Sequence, residues 1–421
     1  MRPDFIIRPP LGQAVCAGLM LIACQGMAGQ ARAEAQTSIG AGDARAAAIA
    51  DASPRVTAAR RDLHSAIGRL SDPRLRAVTA DALENPATCI LHRKNLSAAG
   101  ETAIIAALAD AGLIGDAGAP SATADRMERL RAGVFPPVVG AGGQCPRLPQ
   151  PFYAAPGGDA AGHHSWPGGL ALHTALNVRI GLDLAKAYQR QTGLSLDRDR
   201  IAAAALWHDW AKTVVFQWKA DGTEFVELSL GGQGARDDDG RPGDSRTGAH
   251  HILSLAEAMS RNLAPAQIIV QACAHAPPTD GKAFKVVNWL RAAAIIARVD
   301  PVARGYLARD ASGRLRLPPL GAKDAVLTAG DGAWSAECLI HNMSDQNWTF
   351  AEPSVQAADA VLAQLAPRFG YDPQAVARYR QAYRNVALSQ LGADRIQILN
   401  QRGGPERVAD ALHALRRLGL L

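Results

Sequence analysis

Seven of the eleven histidines fall between His163 and His275. With neighbouring carboxylates they form a series of metal-ligand types: His173, His208-Asp209, His250-His251, His275 and Asp300. Imidazole and carboxylate together suit Mn, Fe, Zn, Ni or Co, and the oxygen donors extend the range to Mg. No cysteine shows CxxC spacing, so a thiolate zinc site is not expected. The series centres on Ala202-Ala203-Ala204-Ala205-Leu206-Trp207-His208-Asp209-Trp210-Ala211-Lys212. Burying His208 beside Asp209 with no cation or partner would cost several kcal/mol, roughly. A single His-Asp pair arises by chance in many helices. Ligand types on successive helices are what convergence on ions inside a bundle requires.

The elements that must position these residues read as helices. Residues 170–192 form one that carries His173 and ends at Gly193. Ser195 to Asp199 offers N-cap candidates for the helix leading to His208. Another helix begins near Ala249, and Pro265 opens the one that reaches His275 before Pro277-Pro278 stops it. Residues 286–299 form a further apolar helix that delivers Asp300. Between them, 214–218 and 225–228 flank Asp221-Gly222, a β-hairpin signal, and 231–248 is a Gly/Asp/Arg-rich loop. Upstream, helices are expected over 55–70, from Pro73, over 98–113 and over 127–132, followed by a Pro/Gly-rich stretch to 158. Downstream, 308–350 reads as irregular. Residues 354–369, 373–391 and 405–418 read as three helices, an appendage with no site of its own.

Composition agrees with an all-α chain. Aromatics are 5%, alanine is abundant, and 48% apolar with 20% charged residues is ordinary globular usage. The net charge of +6 is spread thinly, so charge gives no strong nucleic-acid signal. Residues 1–33 read as a signal peptide: Arg2 and Arg8, an apolar run from Leu11 to Ala23, then Ala31-Arg32-Ala33. The rival is a lipobox, Leu21-Ile22-Ala23-Cys24. It would leave 1–23 as leader, a lipid anchor at Cys24 and an outer-membrane lipoprotein instead of a periplasmic protein. No later stretch suggests a transmembrane helix. Cys89, Cys145, Cys273 and Cys338 remain after the leader, with three pairings open in an oxidising compartment. Cys89 with Cys145 is favoured because both flank the N-terminal region.

The order His173…His208-Asp209…Asp300 resembles the HD-domain superfamily of metal-dependent phosphohydrolases. The segment His163-His164-Ser165-Trp166-Pro167-Gly168-Gly169-Leu170-Ala171-Leu172-His173-Thr174 is similar to the one that opens the HD domain of certain 3′–5′ exoribonucleases. The resemblance implies an all-α HD bundle over 159–306, with a small β-hairpin insertion. A helical region (34–158) would precede it and a helical extension (307–421) would follow. It implies a first metal site of His173, His208, Asp209 and Asp300. Asp209 would bridge to a second ion held by His275 and by His250 or His251; Ser254, four residues after His250, matches the family's small residue. Lys212 matches the family's HDxxK lysine and would face substrate phosphate, with His163 and His164 lining the pocket. Trp210-Ala211 and the long 219–248 loop depart from the family pattern.

The implied reaction is hydrolysis of a nucleotide or other small phosphate ester, with one or two divalent ions lowering the pKa of water. Asp209 would orient the nucleophile, or take its proton if one ion binds. Two other functions use the same ligand order: an HD-fold di-iron oxygenase, and a non-catalytic metal-stabilised interaction domain. An exported enzyme does not meet cellular RNA, so the exoribonuclease-like segment speaks to fold more than to substrate.

Overall fold

The computed structural model describes residues 40–114, 124–140, 144–159, 162–223, 227–232, 245–279, 281–319 and 336–421. The signal peptide expected over residues 1–33 and the expected lipidation at Cys24 lie outside these residues. Local caps start the helices where the sequence places them. Helix α1 spans Asp43–Asp51. Ser53 accepts from Val56 N and Asp72 from Arg74 N, each followed by a proline in the first turn. They open α2 (Pro54–Gly68) and α3 (Pro73–Glu84). Ser97 caps α4 (Ala98–Asp110), and α5 is Ala124–Val134. The middle of the chain supplies α6 (Gly169–Thr192) and α7 (Arg198–Trp207), the latter capped by Asp197. It continues with α8 (Lys212–Val215), α9 (Ala249–Ser260), α10 (Pro265–Ala272) and α11 (Ala283–Ala297).

The C-terminal part holds α12 (Ala336–Asp345), α13 (Trp348–Leu365), α14 (Val376–Tyr379), α15 (Asn385–Leu391) and α16 (Ala393–Arg417). The last is broken at Gly403-Gly404, before Pro405. Two short antiparallel pairs complete the fold: β1 (Ser229–Leu230) with β2 (Thr247–Gly248), and β3 (Ala308–Arg309) with β4 (Leu315–Arg316). The protein is all-α with a small hairpin. No helix among the described residues is long and apolar enough to cross a membrane.

The hairpin is not the one that Asp221-Gly222 suggested. Val214 and Val215 lie in α8 and are buried, so packing against the core overrides their strand preference. The pairing instead joins Ser229 to Gly248 and Leu230 to Thr247, at the two ends of the Gly/Asp/Arg-rich loop. The irregular reading of 308–350 also gives way, because 336–345 is helical. Its buried face mixes two apolar residues, Cys338 and Ile340, with Glu337, His341, Ser344 and Asp345, which leaves a weak apolar pattern in the sequence.

One apolar cluster runs from α2 through α11 and takes in Cys338. A second joins Trp166 to the helices after α12. Arg384 links the two regions, donating to Asp359 at 2.8 Å and to the Ser165 carbonyl at 2.8 Å. Cys89 is bonded to Cys145, the pairing the sequence favoured, and Cys273 to Cys338.

A buried charge network fastens α9 to the N-terminal region. Glu257 accepts from His92 Nδ1 (2.7 Å), Leu91 N (3.0 Å) and Arg261 Nε (2.7 Å), and Arg261 continues to Asp81 at 2.6 Å. Burial would raise the Glu257 carboxyl, but His92 and Arg261 hold it below its ordinary 4.5. A depressed carboxylate contributes stability above its unfolded value and loses it as pH falls through the folded value. Glu257→Gln is therefore expected to cost about 2–4 kcal/mol at neutral pH, since it takes from buried Arg261 its buried partner, leaving only the partly exposed Asp81, and takes from His92 its carboxylate. It should also flatten the loss of stability below the ordinary 4.5. Urea melts across pH test this, and parallel profiles for variant and parent would contradict it.

Candidate metal centre

The centre is built on the end of α7. Ala202 to Ala205 are at most 6% exposed, and their small side chains let α6, α10 and α12 approach closely. The helix stops at Trp207, and its end and the next turn are fixed by three hydrogen bonds to two other helices. Trp207 Nε1 donates to Thr79 Oγ1 (2.9 Å) and Trp210 Nε1 to the Ala82 carbonyl (3.0 Å), both on α3. Ser254 Oγ on α9 accepts from Ala211 N at 2.9 Å. Trp210, unusual for the resembled pattern, thus serves as an anchor for His208-Asp209.

Four ligand-type side chains from three elements meet there. His173 Nε2 lies 3.3 Å from His208 Nε2, 3.3 Å from Asp209 Oδ2 and 3.1 Å from Asp345 Oδ1. His208 Nε2 lies 3.2 Å from each of the same two carboxylate oxygens. Two of these side chains are held by further hydrogen bonds. His208 Nδ1 donates to the Ala205 carbonyl at 2.9 Å, turning Nε2 inward. Asn177 Nδ2 donates to Asp345 Oδ1 at 3.1 Å, and Ser344 Oγ in turn donates to Asn177 at 2.6 Å.

A second group shares Asp209. Its Oδ1 lies 3.3 Å from His250 Nε2, and Asp209, His250 and His275 each place a ligand atom within 4.8 Å of the others. Glu227 fixes His250, accepting from its Nδ1 (2.7 Å) and its backbone N (2.8 Å). The carboxylate–histidine arrangement leaves the far ring nitrogen as the free ligand atom. Thr247 Oγ1 holds His275 Nδ1 at 2.8 Å.

These residues fit divalent ions. Asp209 Oδ1 and His250 Nε2 are both buried and lack a hydrogen-bond partner although they face each other. Two unpaired acceptor-type atoms at that distance are costly unless a positive charge stands between them. The electrostatics point the same way. Burial would lower His208, yet Asp209 and Asp345 outweigh it and push it up to about 10. Burial would raise both carboxyls, yet His208 holds Asp209 and Asp345 well below the usual range, with Lys212 adding to the effect on Asp209. Burial, with His250 beside it, pushes His275 down to about 4.

The structure brings His173, His208, Asp209, His250 and His275 together, and of the two neighbours it is His250 that it places against Asp209. His251 faces away, with Nε2 at 3.2 Å from the Ala272 carbonyl and its ring stacked on His275 at 4.2 Å. His163 and His164 stand beside His173, with ring centroids 4.8 and 5.5 Å from it. Lys212 is in the centre but does not face outward. It is buried, and its Nζ donates to Asp209 Oδ2 at 2.7 Å and to the Gly157 carbonyl at 2.5 Å.

Asp300 is not in the centre. Arg298, with φ 58, ends α11, and the chain leaves the bundle. Asp300 is exposed, and its carboxylate caps a turn by accepting from Val302 N (2.8 Å) and Ala303 N (3.1 Å). Its place is taken by Asp345, at the end of α12 in the region read as an appendage without a site. Helix α12 is tied to the His275 side by the Cys273–Cys338 disulfide and by Asn342 Nδ2 donating to the Ala274 carbonyl at 2.7 Å. It also brings His341, fully buried with neither ring nitrogen partnered, its ring edge-on to His208 at 5.3 Å. Burial, with His208 beside it, pushes His341 down to about 3. The signal that could have found both is their spacing: four residues apart, they share one face of a helix.

Comparison with known proteins gives one curated similarity. Over 61 residues the chain is 39% identical to a dihydroneopterin 2′,3′-cyclic phosphate phosphodiesterase of Methanocaldococcus jannaschii. That stretch is 14% of this chain and 24% of the relative's length. No protein-family model matches the chain, and no solved structure matches it.

Proposed function

We propose that the chain is an HD-type, metal-dependent phosphohydrolase that cleaves a small phosphate ester with water. The observation that carries this reading is the sharing of Asp209 between two adjoining ligand groups, His173/His208/Asp345 and His250/His275. Shared carboxylates are the device by which two divalent ions are held side by side for phosphoryl transfer. The partial likeness to a cyclic phosphate phosphodiesterase supports a phosphate-ester substrate. Both disulfides suit an oxidising compartment and support the export read from residues 1–33.

When bound, divalent ions would supply Lewis-acid polarisation of the phosphoryl oxygen and a lowered pKa for water. The protein's own part is orientation. Lys212 fixes Asp209 through Oδ2, which leaves Oδ1 turned toward His250. Glu227 sets the His250 ring, and the Ala205 carbonyl sets His208. Lys212 therefore acts as a positioning residue for Asp209 in addition to lending positive charge near the phosphate. His163 is only partly buried and offers the contact nearest solvent for the substrate.

Purified protein stripped with a chelator, then reloaded singly with Mn, Fe, Zn, Ni, Co or Mg, tests the reading against phosphomonoesters, phosphodiesters and 2′,3′-cyclic phosphates. Stripping should lower the rate at least about 100-fold, and at least one metal should restore it. Stoichiometric metal with no hydrolysis of any ester would reject the proposal. Oxygen uptake by the iron-loaded protein would then favour the oxygenase, and its absence the interaction domain.

A further inference from the structure

A third cluster of ligand-type side chains adjoins the two groups and contains no carboxylate. His163, His164 and His173 each place a ligand atom within 4.8 Å of the other two. Nδ1 of His163 and Nδ1 of His164 are 3.2 Å apart. His173 turns Nε2 to the carboxylate centre, and its other nitrogen, Nδ1, is buried with no hydrogen-bond partner. His163 and His164 can hydrogen-bond to each other across that 3.2 Å, whereas His173 is 1% exposed, so bulk water cannot satisfy its Nδ1.

The chain holds this cluster at a conformational cost. His164 has φ 55, a left-handed backbone that residues with a side chain rarely adopt. Two glycines make the turn sterically possible. A Cβ on Gly169 would stand 1.7 Å from the His164 carbonyl oxygen, and one on Gly157 2.7 Å from the His164 Cβ. Gly157 N donates to the His164 carbonyl at 2.9 Å, and Arg384 grips the next carbonyl, Ser165, at 2.8 Å. A strained histidine fixed from both sides, next to a buried unpartnered imidazole nitrogen, is a placement that packing alone does not require.

We propose that His163, His164 and His173 form a third cation site, all-imidazole in its protein ligands, for a borderline divalent ion such as Zn, Ni, Co or Cu. It rests on the metal-centre reading only in that His173 serves both sites. The ligand chemistry separates them: three nitrogen donors and no carboxylate select against Mg and Mn, which the carboxylate-containing groups accept. Partly exposed His163 leaves the ion a side open to solvent. Ligation of His173 through both nitrogens requires its last ring proton to leave to solvent, so each ion bound here releases one proton.

The full chain, freed of metal, is titrated with Zn and with Mn and its bound metal measured by mass spectrometry. About three Zn but about two Mn per chain are expected. Copper(II) titrated into the metal-free chain should give, beyond copper held by the two carboxylate-containing groups, one further electron paramagnetic resonance signal with coupling to several imidazole nitrogens. H163N/H164N should bind one Zn fewer, lose that copper signal and retain both Mn ions. Equal Zn binding by parent and double variant, or no such further copper signal, would overturn the third site while leaving the carboxylate centre standing. D209N tests the other direction: it should lose Mn yet keep the copper signal. If D209N retains both Mn ions, the carboxylate centre is the reading that fails.

Discussion

Replacing Asp209 with Asn should empty both carboxylate-containing groups and lower the hydrolytic rate by at least about a thousandfold. Asp209 is the one side chain common to the two, with Oδ2 3.3 Å from His173 and Oδ1 3.3 Å from His250. Removing its charge leaves His173 and His208 with Asp345 alone, and His250 and His275 with no carboxylate in their group. A second consequence is structural. Lys212 is 4% exposed and its ion pair is Asp209 at 2.7 Å, so the variant strands a buried ammonium against the Gly157 carbonyl. That should cost about 3–5 kcal/mol in the metal-free protein. The two effects separate in a double variant. D209N/K212M removes the stranded charge and should regain part of the stability, yet recover neither metal nor activity. Metal content, thermal unfolding and rates on the best ester from the substrate screen provide the three readouts. Two ions retained by D209N, with a rate within about threefold of the parent, would refute the bridging role.

Asp345→Ala and Asp300→Ala should behave as opposites. Asp345 Oδ1 lies 3.1 Å from His173 and 3.2 Å from His208, whereas Asp300 is exposed and bonded only within its own turn. D345A is expected to lose one ion and at least about 100-fold in rate. D300A should keep its metal and a rate within about twofold of the parent, because a turn cap outside the bundle touches no ligand. Ion content measured on both variants in one preparation series decides the matter. An inert D345A together with a metal-free D300A would restore the ligand order expected from the sequence.

The difference between these two aspartates marks where the sequence stops being sufficient. His208-Asp209, His173 and His275 could be read from the chain because each stands on, or just past the end of, a helix that announces itself, by an alanine run, a glycine stop or a proline start. Helical periodicity is local, so the start at Pro73 and the cap within Ser195 to Asp199 were legible for the same reason. The Cys89–Cys145 pair was legible because both residues flank one region.

Convergence is not local. Asp300 follows an apolar helix in the order expected, but Arg298 turns the chain away from the bundle before the carboxylate arrives. Asp345 comes from a helix whose buried face mixes Cys338 and Ile340 with Glu337, His341, Ser344 and Asp345, so its apolar positions are few. That helix reaches the centre through contacts distant in sequence: Cys338 to Cys273, Asn342 to Ala274, Ser344 to Asn177. Choosing His250 over its neighbour His251 likewise needed three dimensions, because adjacent residues on a helix point about 100° apart and only packing says which faces Asp209. The sequence by itself determined the ligand chemistry and most of the helices that carry it. The tertiary structure decided which carboxylate closes the first group, which histidine enters the second, and that Lys212 holds Asp209, since these depend on where helix ends meet in space.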